Sequence, residues 1–421
     1  MAKTGFRRRR DQASLLLLFG LFALLPITVV FGHRGLAPWL LLASIPAFLR
    51  GDYWLRVFGA VFDHMDPKVP FFAAYLSIMI FCGWIFVSGF WSPRGMPWLA
   101  FWVLGPVLIG GSVVWFAANV NRVWAWRIAV AYAAAIIFGM GVLAFEGVSD
   151  GALRAILPPD DPSPDGSGDI IALGRGVTAL APALFPAGII AAAVWNRWAA
   201  LAVLALGVAA AFFNDVAANA VALAAGLAAA IIAFKAPKAT VRGLSFMALA
   251  ALVCAPLAAF LPVERIFALG EGWAPASALH RIAIWQAAAA RIPEGLPFGF
   301  GADFVRIWRD SAPLIEVPGA EQLLSLAPTH PHNLFLQIWL ELGLVGVAAF
   351  GGFLYWGAIA FARAKLEKAV IAAAAGAFAA ILASTLVETS LWQVWRFAAM
   401  GLAAMGVGLA HSLHMNWSRV Q

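Results

Sequence analysis

The chain has few charged side chains and very few cysteines. Asp, Glu, Lys and Arg make up 12% of its 421 residues, against 63% hydrophobic residues. Because a soluble domain carries about 25% charged residues, this composition excludes an ordinary soluble protein. Cys82 and Cys254 both lie inside apolar runs, so we expect packing residues rather than a disulfide or a metal pair. The sequence also lacks an Asp-x-Asp motif that would require a divalent ion.

Long apolar runs recur along the whole chain, and the mean hydropathy is +0.87. A run of about 20 apolar residues spans a bilayer as a helix, which satisfies its own backbone hydrogen bonds. A membrane barrel would instead need short alternating strands, which these Ala- and Leu-rich runs do not resemble. The sequence therefore predicts an all-α fold, a polytopic transmembrane helical bundle that forms a single membrane domain over 1–421.

About twelve spans are predicted. The second and seventh are short, so ten or eleven remain possible. The predicted ranges are 14–31, 36–49, 70–91, 98–118, 124–145, 171–194, 198–213, 216–234, 244–261, 333–362, 369–387 and 391–409.

The basic residues predict the orientation of the bundle. If the N-terminus is cytoplasmic and the spans alternate, every lysine falls on the cytoplasmic side, which is the positive-inside bias. The net charge of +7 then reflects topology and does not indicate nucleic-acid binding. Arg7 to Arg10 precede an apolar run without a small-x-small cleavage site after it, so we expect a retained first span rather than a signal peptide.

Two long loops fall on the periplasmic side of this arrangement. The first, 146–170, is polar and rich in proline and aspartate. The large loop, 262–332, is too long to be a simple connector. Its sequence predicts an amphipathic helix over 277–291 and a second helical piece over 303–309, which would lie on the outer membrane surface or cap a cavity in it. Arginines are disfavoured on the periplasmic side of a membrane, so the arginines in and beside these loops are candidates for a function.

His332 stands where the large loop meets the tenth predicted span. A neutral histidine near pH 7 can take a proton from a hydroxyl group. The start of a helix favours the neutral ring and also attracts phosphate. The alternative is that His332 is only a helix cap or an interfacial residue.

Asn333, Gln337 and Glu341 follow at four-residue spacing, which places them on one face of the tenth predicted span. A carboxylate inside a span is costly unless it faces a cavity or a partner. Arg396 in the last span is a plausible partner, with Glu388 nearby in sequence. These side chains either form a polar wall that supports His332 or simply pair two helices.

Three motifs resemble the O-antigen ligase family, bacterial polytopic enzymes that share a superfamily with O-antigen polymerases. They are His332-Asn333 followed by Gly343-x-x-Gly346, Arg281-x-x-x-Trp285 followed by Pro297-Phe298-Gly299-Phe300-Gly301, and Gly174-Arg175-Gly176, which is expected to open the sixth helix.

The resemblance implies a glycosyltransferase of the bacterial inner membrane. Its donor would be a glycan on undecaprenyl diphosphate, and it would act on the periplasmic side without a metal or another cofactor. The acceptor would be lipid A-core for a ligase, or another lipid-linked glycan for a polymerase.

The resemblance also implies roles for single residues. His332 would activate the acceptor hydroxyl, and Arg281 and Arg175 would bind the diphosphate, whose oxygens suit the planar guanidinium group. Contact with lipid headgroups is the alternative for both arginines. The further candidates for substrate binding are Asn333, Trp285, His330 and His280, and the candidates for a supporting role are Gln337, Glu341 and Arg396.

A lipid-linked glycan transporter or flippase is the alternative from a different functional class. Such a protein typically has broken helices and inverted repeats. We expect neither from this sequence, and a transporter gives no reason for the large loop.

Overall fold

A computed structural model describes residues 2–50, 70–156, 167–214 and 216–417. These residues are mostly helical, because long runs of alanine, leucine and other apolar residues satisfy their backbone hydrogen bonds locally. The first ten helices are α1 (Ala2–Phe31), α2 (Leu36–Phe48), α3 (Pro70–Ser88), α4 (Ala100–Asn119), α5 (Arg122–Val148), α6 (Ser167–Leu180), α7 (Leu184–Val194), α8 (Arg197–Phe213), α9 (Ala217–Lys235) and α10 (Pro237–Cys254).

The large loop contains α11 (Val263–Gly270), α12 (Ala276–Gly295) and α13 (Phe304–Trp308). A short antiparallel pair, β1 (Leu314–Ile315) and β2 (Leu324–Ser325), follows them. Three long helices complete the described chain, namely α14 (Leu334–Arg363), α15 (Lys368–Val387) and α16 (Val394–Trp417).

Ten helical segments of the described chain are long and apolar enough to cross a membrane, which confirms the predicted multi-pass bundle. The two predicted spans noted as short, α2 with 13 residues and α8 with 17, are not among these ten. At 1.5 Å per residue, α2 is about 20 Å long, less than the roughly 30 Å of a hydrocarbon core.

Contacts nevertheless show that α2 runs between opposite ends of the bundle. Just before α2, the His33 ring contacts Trp395 at the start of α16, with 4.8 Å between ring centroids. Just after α2, Arg50 lies 5.6 Å from the ring centroid of Phe116, near the end of α4. The end of α4 lies beside the end of α16, where the Ser412 hydroxyl donates to the Ala117 carbonyl at 2.7 Å.

The other short helix, α8, ends beside the end of α5, where Asn214 Nδ2 donates to the Leu143 carbonyl at 2.9 Å. With α6 and α7 forming one span, the described helices pass from end to end of the bundle twelve times. We call the end that carries the large loop the loop end and the other the opposite end. Lys235 and Lys238, between α9 and α10, lie at the opposite end.

The core consists of several clusters. The largest joins α1, α5, α6, α7 and α16 and buries Tyr132 fully. A second joins α3 to α14 and contains Phe81 and Ile338. A third lies under the large loop, where Ala288 and Ile292 of α12 and Val305 of α13 contact Leu336 and Leu340 of α14. This third cluster fixes the loop to the bundle.

Helix boundaries differ from prediction where polar residues extend a helix past its apolar part. The span predicted to begin at 244 belongs to α10, which begins at Pro237 and includes Lys238 and Arg242. The predicted amphipathic helix is α12, and the predicted piece over 303–309 is α13. In the first loop, 157–166 lie outside the described residues. Before them, Glu146 accepts from the Leu153 and Arg154 amides at 2.7 and 3.1 Å.

Candidate active site

The tenth span, α14, is broken at Gly343, where φ is 59° and ψ is −157°. A side chain at this position would collide with the carbonyl of Pro297 and the amide of Gly299, so the close approach requires glycine. The sequence-based expectation that the chain has no broken helix is therefore wrong.

The break leaves backbone amides and carbonyls without partners in the helix, and the large loop forms hydrogen bonds with them. The Phe300 and Gly301 amides donate to the Leu340 and Glu341 carbonyls at 3.0 and 2.9 Å, and the Leu344 amide donates to the Pro297 carbonyl at 2.8 Å. Trp84 Nε1 donates to the Leu342 carbonyl at 2.8 Å. The loop is thus hydrogen-bonded into the break, and the backbone groups that the break frees are occupied by protein.

The carboxylate of Glu341 lies fully buried just before the break and accepts four hydrogen bonds. Two come from the side chains of Trp392 (Nε1, 3.0 Å) and Gln337 (Nε2, 3.2 Å). The other two come from the amides of Asp303 (3.1 Å) and Val305 (3.4 Å) at the start of α13. Glu341 therefore joins α14, the large loop and the turn before α16.

Asp303 is buried and forms ion pairs with Arg94 and Arg306, at 2.8 and 3.1 Å. Burial raises the pKa of its carboxyl group, and the charges of Arg306 and Arg94 oppose that rise. These contacts hold the start of α13 against the turn between α3 and α4.

The sequence predicts that Arg396 pairs with Glu341, but in the structure the two side chains do not pair. Arg396 Nη2 lies 3.2 Å from Glu388 Oε2, and its Nη1 donates to Ser384 Oγ at 2.8 Å. Gln337 provides the link between α14 and this region, because its Oε1 accepts from the Leu391 amide at 2.9 Å. Partner choice depends on the rotation of each helix, which sequence spacing does not give.

Asn333 is the N-cap of α14, with its Oδ1 accepting from the Phe335 and Leu336 amides at 3.0 and 3.1 Å. His332 therefore does not cap the helix. It precedes the cap in a left-handed conformation, with φ at 53°. The side-chain oxygen of Asn333 is thus occupied by backbone amides. The predicted substrate-binding role of Asn333 stays a prediction.

His330 and His332 lie side by side, with 4.3 Å between ring centroids. The His332 ring is half-buried, and its Nδ1 is buried without a hydrogen-bond partner. Burial, followed by the positive charge of Arg281, lowers the pKa of His332 from 6.5 to about 4. Burial, and then His332, hold the pKa of His330 well below its ordinary value. Both rings are therefore neutral near pH 7.

Arg281 and His280 project from α12 and are half-buried. Arg281 Nη1 donates only a long hydrogen bond, 3.4 Å, to the Ser277 carbonyl one turn earlier. The charge of Arg281 contributes to the lowered pKa of His332, so the guanidinium lies in its neighbourhood. His280 Nε2 lies 2.8 Å from the Ser325 carbonyl of β2, which engages one of its ring nitrogens. Trp285 is half-buried, and its Nε1 has no partner among the described residues.

Arg175 does not open its helix as predicted, because α6 begins eight residues earlier at Ser167. The guanidinium is half-buried and lies near His33. Burial and then the charge of Arg175 lower the pKa of His33 to about 4, with Arg34, Arg396 and Arg154 adding to the effect. Several cations thus surround the loop end of α1.

Sequence reasoning did not select His33, Gln393 or Asp303. His33 follows the first span directly beside Arg34, and a titratable residue in so short an outside loop is the signal that identifies it. Gln393 and Asp303 carry no such signal, because their importance arises from partners distant in sequence. Among the described residues, no group of three or more His, Cys, Asp or Glu side chains is arranged to hold a metal ion.

None of the site residues His332, Arg281 and Arg175 lines a cleft of about 690 Å³ on the outer part of the large loop, formed by 267–271 and 316–323, or the apolar clefts between the helices. One of these apolar clefts, of about 240 Å³, is lined by α10, α14 and α15, including Leu244, Phe353 and Phe378. It lies in the half of the bundle nearer the opposite end and brings no titratable group to a substrate.

The site therefore combines a neutral imidazole, the cation of Arg281 from the large loop and further arginines, namely Arg34 after α1, Arg175 of α6 and Arg396 of α16. Comparison with known proteins agrees with the resemblance noted from the motifs. Residues 200–351 match the O-antigen ligase family. This match runs from α8 into α14 and includes Arg281, His330, His332 and Gly343, but not Arg175 or Arg396.

Two curated relatives carry the name "Putative polysaccharide ligase". The protein from Rickettsia typhi is 33% identical over 120 residues, 28% of this chain and 29% of the relative. The protein from Rickettsia bellii is 42% identical over 81 residues, 19% of each chain. The matched stretches thus span less than a third of the length of these relatives.

Proposed function

We propose that this protein is a membrane glycosyltransferase that moves a glycan from undecaprenyl diphosphate to the sugar of lipid A-core, as an O-antigen ligase does. The observation that carries the proposal is a neutral histidine at the loop end, His332, whose pKa is lowered by burial and by the charge of Arg281. The match to the O-antigen ligase family over residues 200–351 supports the reaction class.

The reaction needs a base and a counter-charge. A sugar hydroxyl attacks the anomeric carbon of the donor, the bond from that carbon to the diphosphate oxygen breaks, and the hydroxyl proton passes to His332. A pKa of about 4 keeps the His332 ring free to accept a hydrogen bond from the hydroxyl near neutral pH. The negative charge that develops on the leaving diphosphate is stabilised by Arg281 and Arg175.

The loop end faces the periplasm in this proposal. Lys235, Lys238, Lys365 and Lys368 lie in the turns of the opposite end, and lysine-rich turns favour the cytoplasmic side of a membrane. The arginines of the loop end are the exception to that rule, and an anionic lipid diphosphate gives the reason for them. The proposed partners are therefore the lipid-linked glycan donor, the glycan acceptor and the membrane lipids.

An O-antigen or exopolysaccharide polymerase of the same superfamily would use the same base and cations. The broken α14 favours a transporter at first sight. However, its freed carbonyls are bound by the amides of Phe300 and Gly301, so they are not available to a moving substrate. This occupancy supports an enzyme over a transporter.

A strain that lacks this chain, complemented with the wild-type protein or with His332→Ala, tests the proposal. We expect loss of long surface glycans, accumulation of lipid-linked polymer and no rescue by His332→Ala at normal expression. Surface chains capped with a single repeat would instead indicate a polymerase. Full rescue by His332→Ala would refute the role of this histidine, and unchanged lipid-linked intermediates would refute the transferase.

A further inference from the structure

His330 is held between two hydrogen-bond donors. The backbone N–H of His332 donates to His330 Nδ1 at 3.2 Å, and Gln393 Nε2 lies 3.4 Å from His330 Nε2. A neutral imidazole has one acceptor nitrogen and one N–H group. One of the two contacts is therefore a hydrogen bond, and the other brings two N–H groups face to face.

The orientation of Gln393 is fixed by its other partners. Its Oε1 accepts from Arg396 Nε at 2.7 Å and from the Ser390 amide at 3.2 Å, and both of these groups are donors only. The side-chain NH₂ group must therefore point to His330. Arg396 itself is held by Glu388 and Ser384, so a chain of fixed contacts runs from α15 and α16 to the His330 ring.

This arrangement leaves no place for a second proton on His330. An imidazolium would direct both of its N–H groups at donors, and the nearby charged groups Arg396, Arg306 and Arg175 are cations that also oppose it. His330 is therefore unsuited to be a second base. Its remaining function is toward His332, whose left-handed backbone is an unfavourable conformation for a non-glycine residue. The His330 ring holds that backbone by accepting its N–H.

We propose that His330 is a positioning residue, whose Nδ1 accepts the backbone N–H of His332 and holds that residue in its left-handed conformation, while His330 itself never takes up a proton. This inference rests on the proposed function, in which His332 is the base. It assigns different roles to two histidines that stand two residues apart.

The experiment compares purified wild type, His330→Asn and His330→Ala in liposomes with an undecaprenyl diphosphate-linked oligosaccharide as donor and lipid A-core as acceptor. His330→Asn keeps an acceptor near the position of Nδ1 but has no titratable group. We expect it to transfer at a rate close to wild type with the same pH profile. His330→Ala removes the acceptor, and we expect kcat to fall on the order of 100-fold, because a misplaced base is costly.

A wild-type rate in His330→Ala would overturn the inference. Equal loss in His330→Asn and His330→Ala would overturn it too, because the ring would then be needed for proton transfer.

A measurement independent of transfer keeps the two proposals separate. Diethyl pyrocarbonate modifies neutral histidines, and mass spectrometry gives the rate at His332. We expect the same rate in wild type and His330→Asn, and a changed rate in His330→Ala. An unchanged rate in His330→Ala would overturn the positioning role. Absence of transfer by wild type, or full transfer by His332→Ala, would instead count against the proposed function.

Discussion

The two ends of the bundle bury different kinds of polar side chain. Among residues whose side chains are described, the buried polar residues in the half nearer the opposite end carry hydroxyl groups, namely Ser14, Ser44, Ser112, Thr240 and Ser412, while Arg50, His411 and His414 are half-buried there. Ser44 and Thr240 donate to carbonyls of their own helices. The loop end buries charged groups, imidazoles and amides, among them His33, Glu146, Arg154, Asn214, Asn219, Asp303, His330, Gln337, Glu341 and Arg396.

This difference shows which half of the molecule is built for packing and which for chemistry. A hydroxyl that bonds to its own helix is cheap to bury in a membrane, whereas a charged group is costly and persists where a function needs it. The loop end also contains the break in α14 and the left-handed backbone of His332, so both the polar groups and the unusual backbone are concentrated at one end.

Among the substitutions that test this difference between the two ends, Glu341→Ala is expected to have the largest effect. The substitution leaves the amides of Asp303 and Val305 and the Nε1 group of Trp392 without their acceptor. Buried donors without partners cost about 1–3 kcal/mol each, so we expect a loss of about 4 kcal/mol in the free energy of unfolding. The melting temperature of the detergent-solubilised protein measures it. Glu264→Ala, on the exposed face of α11, is the control and should melt like wild type.

Gly343→Ala is expected to have the next largest effect. Alanine at this positive φ is strained, and its Cβ would collide with the Pro297 carbonyl, so we expect a loss of about 3 kcal/mol. Gly357→Ala in the same helix is the matched control, since a Cβ there meets nothing within 4 Å. Similar melting temperatures for the two variants would show that α14 is not broken at Gly343.

Arg281→Lys tests whether the loop-end cations bind an anion with geometric specificity. A lysine keeps the charge but not the planar fork, so we expect transfer to fall on the order of 100-fold, nearly as far as in Arg281→Ala. Arg242→Lys, in the exposed first turns of α10, should leave the rate unchanged. Near-normal transfer by Arg281→Lys would indicate simple headgroup contact. The measurement is the initial rate of glycan transfer in liposomes.

The pH dependence should show the smallest effect over the ordinary range. The pKa of His332 lies at about 4, below the 6.5 of free histidine, so the ring remains neutral as the pH falls from 8 to 6. Protonation, and loss of the base, should begin only as the pH approaches 4. We therefore expect a flat kcat/KM between pH 6 and 8. A decline centred near pH 6.5 would show that His332 is solvated as a surface histidine.

The sequence was sufficient to predict the parts of the fold that depend on local composition. Apolar runs predicted the spans, and the polar length of 262–332 predicted a structured loop with α12 and α13 in it. Two separate motifs led to His332 and to Arg281, and their proposed roles stay predictions. The spans, the loop helices and each motif depend on residues that are close in sequence.

Features that depend on distant partners were not predictable. The break in α14 is stable only because the loop amides of Phe300 and Gly301, some forty positions earlier, bond to the exposed carbonyls. Arg396 selects Glu388 over Glu341 because of helix rotation, and Gln393 is defined by its contacts with Arg396 and His330. A single sequence contains no periodicity that would reveal such pairings.

The hydrogen bonds between the large loop and α14 have a mechanical consequence. The nine residues before Gly343 are bonded on one side to the large loop, through Leu340 and Glu341, and on the other to the turn before α16, through Gln337 and Glu341. A displacement of the loop must therefore break these bonds or carry that turn with it, so the broken helix anchors the loop, and the cation of α12 with it, to the bundle beside the base.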